Sequence, residues 1–334
     1  MQPLIPWFEP FSIPISGNIG IHGFGILVAL GFWIGSNAGM AKARRDNLDP
    51  EIIYKLVVWV VLSTFIGGHV GHLVMYEGIP DDPMEWLDVT QGLSSTGGLV
   101  TAIVVSILFF RHHKVNVLAY GDVAIYGFAL GWMVGRLGCF AAHDHPGIVS
   151  DFWLAVKPAV DPIRIVNGVK EIHSMCPEVD ADKACLDLGL IEAIWSGLTA
   201  LWFRWLDKKP RFPGFYMAVI AISYGIFRFF SDFLRHPATD TRYLVDVLPG
   251  GGWTPAQFFS LMLPLVGVAL WRMQKDKAPV RVATGPIAPA DEATGPIAKT
   301  RRFVLRFMPL ILPLLAYALT GIGESVTRSV FGSG

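Results

Sequence analysis

Long apolar segments separated by short polar ones run through almost the whole chain. A helix that crosses roughly 30 Å of hydrocarbon needs about 20 mostly apolar residues. Segments of this kind predict an all-α polytopic membrane protein with about eight transmembrane helices, at residues 20–41, 52–76, 94–110, 115–140, 188–206, 214–235, 255–273 and 303–321. The third segment opens with polar and small residues, Ser94-Ser95-Thr96-Gly97-Gly98. Irregular backbone at membrane depth is tolerated where it is buried in protein or lines a cavity, so this segment is a first indication of a site.

The short polar segments alternate in charge. Basic residues follow the first, third, fifth and seventh helices, whereas the loop after the second helix has acidic residues and no Lys or Arg. Short cytoplasmic loops carry the excess of Lys and Arg. The pattern therefore predicts that the N-terminus lies outside, together with the loops 77–93, 141–187 and 236–254.

Composition argues against a soluble protein of this length. Of the 334 residues 52% are hydrophobic and 16% are charged, against roughly a quarter charged in soluble domains, and the mean hydropathy is +0.47. The formal net charge is zero, so nothing indicates a nucleic-acid partner. No Lys or Arg precedes Lys42, so the basic start of a secretory signal is missing and the first helix is expected to stay in the mature protein.

The polar segments also divide the chain. We expect a membrane core at residues 1–273 with one large external loop, 141–187, a flexible linker rich in Ala, Pro and Gly at 274–300, and an additional transmembrane helix and tail at 301–334. Cys176 and Cys185 both lie in the external loop, on the oxidising side, where they either form a disulfide or remain as two free thiols. No C-x-x-C pair occurs, which argues against a thiolate metal site.

Glycines at four-residue spacing are expected to let helices approach closely. They are Gly31 and Gly35 on the first helix, and Gly127, Gly131 and Gly135 on the fourth.

Charged residues within apolar segments are costly and are retained where they face a partner or a cavity. Arg136 and Arg235 lie near the outer ends of the fourth and sixth helices. Either each one snorkels to lipid headgroups, or the two share an anionic ligand, for which phospholipid phosphate matches the guanidinium fork. Glu192 and Asp232 also need partners, and Arg228 is expected to pair with one of them.

Several histidines are candidates for proton transfer. His143-Asp144-His145 follows the fourth helix, His69 and His72 share a face of the second helix, and His22 opens the first. The His-Asp-His cluster is either a proton relay or metal site, or merely solvated and hydrogen-bonded. Packing or lipid contact is the preferred interpretation of His69 and His72.

Three motifs occur in order on matching helices. They are Gly135-Arg136-Leu137-Gly138-Cys139-Phe140 with Asp144 and Gly147 beyond it, Tyr224-Gly225-Ile226-Phe227-Arg228-Phe229 followed by Phe233-Leu234-Arg235-His236-Pro237, and Thr254-Pro255-Ala256-Gln257. Together they resemble the prolipoprotein diacylglyceryl transferase family over about residues 12–273. The resemblance implies a seven-helix core in the bacterial cytoplasmic (inner) membrane. Such an enzyme transfers a diacylglyceryl group from phosphatidylglycerol to the lipobox cysteine of preprolipoproteins and releases glycerol phosphate.

The chain departs from the family's pattern at several positions. The family's His-Gly-Gly-Leu-Ile-Gly reads Thr96-Gly97-Gly98-Leu99-Val100-Thr101, so Thr96 replaces a histidine. Cys139 stands for an asparagine and Asp144 for a glutamate. If the missing histidine is the family's base, this chain either uses another, for which His143, His145 and His22 are candidates, or has lost the activity. Cys139 itself has no base beside it that the sequence reveals, so we interpret it as a small buried residue.

The resemblance and the charge pattern together give a set of candidate site residues. The candidate catalytic residues are Arg136, Arg235, His143, Asp144, His145 and His22. The candidate substrate-binding residues are Thr96, Gly97, Gly98, Cys139, Gly147, Glu192, Arg242 and Gln257. We expect no cofactor and no metal ion, and a monomer surrounded by membrane lipids.

Three alternatives remain open at this point. The substitution at Thr96 allows a paralogue that binds phospholipid or lipoprotein without transfer. A small-solute transporter would need a polar path through the membrane, but the charges cluster near one face and the two halves show no repeat. A proton or metal carrier would use His69, His72, His143 and His145.

Overall fold

Eight helices lie where the apolar segments predict them. The computed structural model describes residues 2–16, 19–74, 86, 93–166, 169–239, 254–279 and 306–317. The helices are α1 (Gly23–Arg45), α2 (Pro50–His72), α3 (Ser95–His112), α4 (Val117–Ala142), α5 (Leu188–Leu206), α6 (Phe215–Ser231), α7 (Pro255–Gln274) and α8 (Arg306–Tyr317).

Five helical stretches are long and apolar enough to cross a membrane: Gly23–Arg45, Pro50–His72, Val117–Ala142, Phe215–Leu234 and Ala256–Gln274. Of the other predicted spans, α3 and α8 are shorter apolar helices, and α5 carries Glu192 and Arg204 within its 19 residues. The chain is therefore a multi-pass α-helical membrane protein.

Polar side chains fix where the helices begin. A residue before the first turn accepts a hydrogen bond from a backbone N–H that has no partner within the helix. These caps are Asp49, Ser94, Asn116, Asp187 and Thr254. At α7 the cap is reciprocal, because the Gln257 side chain also accepts the Thr254 N–H at 3.0 Å.

Glycines bring neighbouring antiparallel helices together, as their spacing predicts. A Cβ atom on Gly31 would lie 2.6 Å from the carbonyl oxygen of Gly131, so α1 and α4 pack backbone to backbone. Gly67 and Gly97 do the same for α2 and α3. Gly135 contributes only its backbone, whose nitrogen would lie 3.2 Å from that Cβ of Gly31, since a Cβ on Gly135 itself would meet nothing within 4 Å. Small residues thus set the helix spacing, as is common in membrane proteins.

The antiparallel order gives the bundle two chemically different ends. We call one the basic end, because the helix-terminal basic residues Lys42, Arg44, Arg45, Arg111, Lys114, Lys208, Lys209, Arg211, Arg272 and Lys275 lie there. Lys42 forms a buried ion pair with Asp207 at 2.7 Å, which ties the end of α1 to the end of α5. The opposite end carries the connecting strands, and we call it the sheet end.

The loop 141–187 is folded, which the hydrophobic pattern does not predict. Strands β3 (Pro146–Val149), β4 (Ala155–Val156) and β7 (Cys185–Asp187) form an antiparallel sheet in the order β3-β7-β4. β5 (Ile163–Val166) and β6 (Val169–Ile172) form a hairpin, as do β1 (Ser12–Ser16) and β2 (Ile19–His22). Cys176 and Cys185 form a disulfide with Cα atoms 5.4 Å apart, which settles the alternative left open by the sequence.

The N-terminal residues run along this sheet. Ile5 pairs with Val156 of β4, and the Lys157 N–H donates to the Ile5 carbonyl at 2.8 Å. Trp7 and Phe8 continue toward the end of α4, where both rings contact His143. Residues 5–8 therefore cover the α4–α5 connection at the sheet end.

Candidate functional site

Arg136 lies in the last two turns of α4 and is held by residues of two helices. Its Nη2 is 3.0 Å from Glu192 Oε2 on α5, and its guanidinium carbon is 4.7 Å from the centroid of the Trp132 ring. The two charged side chains are 12% and 5% exposed. Its Nε is buried and has no hydrogen-bond partner among the described residues. Arg136 is therefore fixed in place with one donor left over.

Glu192 is the hub of a polar network that joins α4, α5 and α6. Trp132 Nε1 and the Tyr224 hydroxyl each donate to Glu192 Oε1 at 3.0 Å, while the other carboxylate oxygen faces Arg136. A buried carboxylate is retained when its oxygens are satisfied in this way. The sequence singles out Glu192 and Arg136 and includes Tyr224 only as part of a motif, whereas Trp132 looks there like an ordinary aromatic residue of an apolar helix.

A second arginine approaches this network from α6. Arg228 Nη2 lies 3.2 Å from Asp232 Oδ1, one helical turn away, which confirms the expected pairing. The charge of Arg228, like that of Arg136, acts on Glu192. Arg235 lies further along, with its Nε 3.4 Å from Asp232 Oδ1 and its backbone paired with Gly147. Arg228 thus pairs with Asp232 and lies close enough for its charge to act on Glu192, and Arg235 pairs with the same Asp232.

The end of α4 folds the following residues back over Arg136. His143 has a left-handed backbone with φ of 53°, and its N–H bonds to the Phe140 carbonyl at 3.2 Å. This turn returns His145 to the last turn of the helix, where its Nε2 is 3.0 Å from Arg136 Nη1. Because arginine only donates, this contact is a hydrogen bond in the neutral imidazole, whose Nε2 accepts.

His145 also has a carboxylate and a thiol beside it. Asp144 Oδ1 accepts from the His145 Nδ1–H, and the Cys139 Sγ is 3.6 Å from Arg136 Nη1. Burial alone would lower the pKa of His145, but the Asp144 carboxylate and the neighbouring Cys139 together outweigh burial and raise that pKa to about 10. His145 therefore binds a proton tightly and accepts one only in its neutral form, which alkaline pH favours; the structure places this predicted candidate beside Cys139.

His143 has a different environment. Its ring is fully buried, stacks on Trp7 with centroids 4.3 Å apart, and has Nε2 3.1 Å from the Phe8 carbonyl oxygen. Its Nδ1 is 3.6 Å from Asp187 Oδ2, and burial raises the pKa of that carboxyl. The two histidines of the cluster are thus separated, one enclosed by the N-terminal segment and one facing Arg136.

The remaining predicted residues are spread over the sheet end. Gly97 and Gly98 lie against α2, where Cβ atoms would be 2.3 Å from the Gly67 carbonyl oxygen and 2.9 Å from Thr64. Their close approach in this structure is to α2. Gly147 lies between the backbones of Leu186 and Leu234. The other candidates are His22, buried before α1, Gln257, which caps α7, and Arg242 and the Thr96 side chain, which lie outside the described residues.

One group in the described part of the chain has metal-ligating atoms in reach of one another. The ligand atoms of Cys139, Asp144 and His145 lie within 4.8 Å, and thiolate, carboxylate and imidazole are zinc ligands. The Arg136 guanidinium contacts both Cys139 and His145, and a like charge at this distance opposes a metal cation. The proton or metal carrier alternative would need His69, His72, His143 and His145 close together, and these four do not form a metal-ligating group among the described residues. His69 Nε2 instead lies 3.1 Å from the Trp86 carbonyl oxygen.

These features define a class: a multi-pass membrane protein with a buried site of arginine, carboxylate and imidazole at one end of its bundle. Such a site can bind an anionic group and accept a proton beside it. The prolipoprotein diacylglyceryl transferase family matches residues 10–273, and the chain belongs to this family. The matched region covers α1 to α6 and nearly all of α7, while α8 lies beyond it.

Curated relatives match over most of their length. A phosphatidylglycerol–prolipoprotein diacylglyceryl transferase of Chromohalobacter salexigens is 27% identical over 288 residues, covering 84% of this chain and 98% of the relative. A protein of the same name from Deinococcus radiodurans is 29% identical, with 84% and 89% covered. A third, from Bordetella avium, is 29% identical, with 80% and 94% covered.

Proposed function

We propose that this protein transfers a diacylglyceryl group from phosphatidylglycerol to the lipobox cysteine of a preprolipoprotein. Family membership gives the reaction class, and its relatives carry the name of this activity. The observation that carries the assignment to particular residues is the buried Arg136, which is held by Glu192 and keeps an Nε donor without a partner among the described residues. A guanidinium with a spare donor at the end of a membrane helix suits the phosphate of a phospholipid.

In this proposal Arg136 and Arg228 bind the phosphate together. Both charges act on Glu192, so both arginines lie near this carboxylate. Arg136 would contact the phosphate through its Nε, and Arg228 would contact it from α6. Glu192 and Asp232 keep these two side chains in place. The sequence favoured Arg235 for the second position. We prefer Arg228 there because its charge acts on Glu192, while Arg235 pairs with Asp232 and, through its backbone, with Gly147.

His145 takes the place of the base that Thr96 cannot supply. A thiol with an ordinary pKa near 8.5 is mostly protonated at neutral pH, so the attacking cysteine needs a proton acceptor. In the neutral imidazole, which alkaline pH favours, the Nε2 lone pair that faces Arg136 Nη1 would accept the thiol proton. Asp144 holds Nδ1 and strengthens the base. His143, enclosed by Trp7 and Phe8, positions the turn that carries His145.

The chemical step exchanges one bond for another. The lipobox thiol gives its proton to His145. The sulfur forms a C–S bond with the phosphate-bearing carbon of the diacylated glycerol. The C–O bond breaks, and the electron pair leaves with the phosphate of glycerol phosphate. Arg136, Arg228 and the protonated His145 would then face the developing negative charge without reorganising. Cys139 does not carry the diacylglyceryl group in this scheme, since a thioether formed on it would have to break again.

The charge pattern supports an orientation. With the basic end toward the cytoplasm, the N-terminus, the sheet end and the site face outward in the bacterial inner membrane. The disulfide between Cys176 and Cys185 fits an oxidising compartment on that side. We further infer that the transferase core spans residues 1–273 and that 274–300 connects it to the last helix, in a monomer that meets its lipid and preprolipoprotein substrates within the membrane.

The assignment is tested with purified protein, phosphatidylglycerol and a lipobox peptide, with mass spectrometry of the peptide. Wild type should add the diacylglyceryl mass to the cysteine, and Arg136→Ala, Arg228→Ala and His145→Ala should not. Arg204→Ala is the matched control, because Arg204 is an exposed arginine on α5 near the basic end. Full turnover by Arg136→Ala would remove the proposed role of this site.

A further inference from the structure

Helix α8 lies outside the region that matches the family, yet it contacts the core at both of its ends. At its start Arg306 is close enough to Tyr54 of α2 for its charge to act on that side chain. One residue on, Phe307 stacks on Trp33 of α1 with ring centroids 6.4 Å apart and planes 13° from parallel. The helix therefore begins toward the basic end of the bundle, in contact with both α1 and α2.

The last described residue of α8, Tyr317, reaches the sheet end between the same two helices. Its ring lies edge to face with Phe24 of α1 and Phe65 of α2, with centroids 5.1 and 4.9 Å apart. Gly25 permits this position, because a Cβ atom on Gly25 would lie 2.9 Å from Tyr317 Cβ. Three separate contacts thus fix where this phenol lies.

This position is next to the proposed lipid site. Phe24, on which the Tyr317 ring packs, has its carbonyl oxygen 3.2 Å from where a Cβ atom of Gly138 would be, and Gly138 directly precedes Cys139. Cys139 and Asp144 are also close enough for their charges to act on the Tyr317 phenol. α8 therefore brings a hydroxyl group to the side of the site formed by the end of α4.

We propose that α8 is part of the lipid site, closing it between α1 and α2 and presenting the Tyr317 hydroxyl to the phosphate or glycerol oxygens of the bound anionic phospholipid. The proposal rests on the proposed function, because it assigns a residue to the same lipid. A phenol suits this place, since its ring packs in the apolar gap while its hydroxyl donates to an anionic oxygen. Tyr317 is then a binding residue that the family-matched region does not contain.

The test separates the hydroxyl from the ring. Tyr317→Phe keeps the packing on Phe24 and Phe65 and removes only the donor. Hydrogen bonds to charged groups are strong enough that KM for phosphatidylglycerol should rise about tenfold, with a smaller change in kcat and an unchanged thermal midpoint. Tyr54→Phe is the matched control, because it removes a hydroxyl beside the other end of α8, and it should behave as wild type.

Two results would overturn the proposal. Tyr317→Phe with wild-type KM would show that the hydroxyl does not touch the lipid. A higher kcat in this variant would show that α8 blocks the site instead of binding the lipid. Failure of the proposed function is detected separately, by a wild-type protein that transfers nothing. In that case phosphatidylglycerol retained through purification is measured by native mass spectrometry. Lower retention in Tyr317→Phe than in wild type supports the hydroxyl contact, and equal retention contradicts it.

Discussion

Replacing Glu192 by Gln tests whether its charge holds Arg136 in place. The amide is nearly the same shape, and its oxygen can still accept the hydrogen bonds of Trp132 and Tyr224, which both end on Oε1. The NH2 group would then face Arg136 Nη2, which now lies 3.0 Å from a carboxylate oxygen. Two donors would oppose each other, and a buried guanidinium would lose its counter-charge.

The expected cost follows from this burial. Removing one partner of a buried ion pair destabilises a protein by about 3–5 kcal/mol, because the other charge is left uncompensated. We therefore expect Glu192→Gln to lower the thermal midpoint clearly and to abolish transfer. The matched control is Glu178→Gln, which breaks the Lys170–Glu178 pair, whose side chains are 47% and 55% exposed. Exposed pairs contribute little, so this variant should be indistinguishable from wild type.

Two readouts are needed in the same preparation. Thermal unfolding in lipid nanodiscs reports stability, and mass spectrometry of a lipobox peptide reports transfer. A Glu192→Gln protein with wild-type midpoint and wild-type rate would refute the claim that this carboxylate fixes Arg136. Loss of transfer with an unchanged midpoint would keep the positioning role but remove the stability argument.

Three further predictions concern neighbouring features. Asp144→Asn removes the main charge that raises the pKa of His145 to about 10, so the alkaline rise of the transfer rate should move to lower pH; an unmoved pH–rate profile would exclude His145 as the base. Gly31→Ala places a Cβ atom 2.6 Å from the Gly131 carbonyl oxygen and should lower the thermal midpoint, whereas Gly135→Ala, with nothing within 4 Å, should not; equal midpoints would contradict the packing argument. Replacing both Cys176 and Cys185 by Ser should cost about 2–4 kcal/mol of stability, and reductant should destabilise wild type by a similar amount while leaving the double variant unchanged.

The helices were predictable because each depends on local sequence. Long apolar runs gave their positions, and the caps follow from short polar residues such as Asp49 before Pro50. The pairing of Arg228 with Asp232 is a contact between residues four apart on one helix, so it too could be expected. Glu192 was identified because a carboxylate inside an apolar helix needs a partner.

The parts that escaped prediction depend on contacts distant in sequence. The sheet between α4 and α5 pairs short strands such as β3 and β7, which have no clear alternating pattern. His143 is enclosed by Phe8, which is 135 residues away. His145 reaches Arg136 only because His143 adopts a left-handed backbone, which is uncommon for a residue other than glycine. Nothing in the last helix alone indicates that Tyr317 would lie beside the end of α4.

The most direct test of the account is the stoichiometry of products made by the wild-type protein. Phosphatidylglycerol labelled in its headgroup is incubated with a lipobox peptide, and both the modified peptide and the released headgroup are quantified. The account predicts one glycerol phosphate released for each thioether formed, with neither product in Arg136→Ala. Headgroup release without thioether, or equal yields of both products in Arg136→Ala, would contradict it.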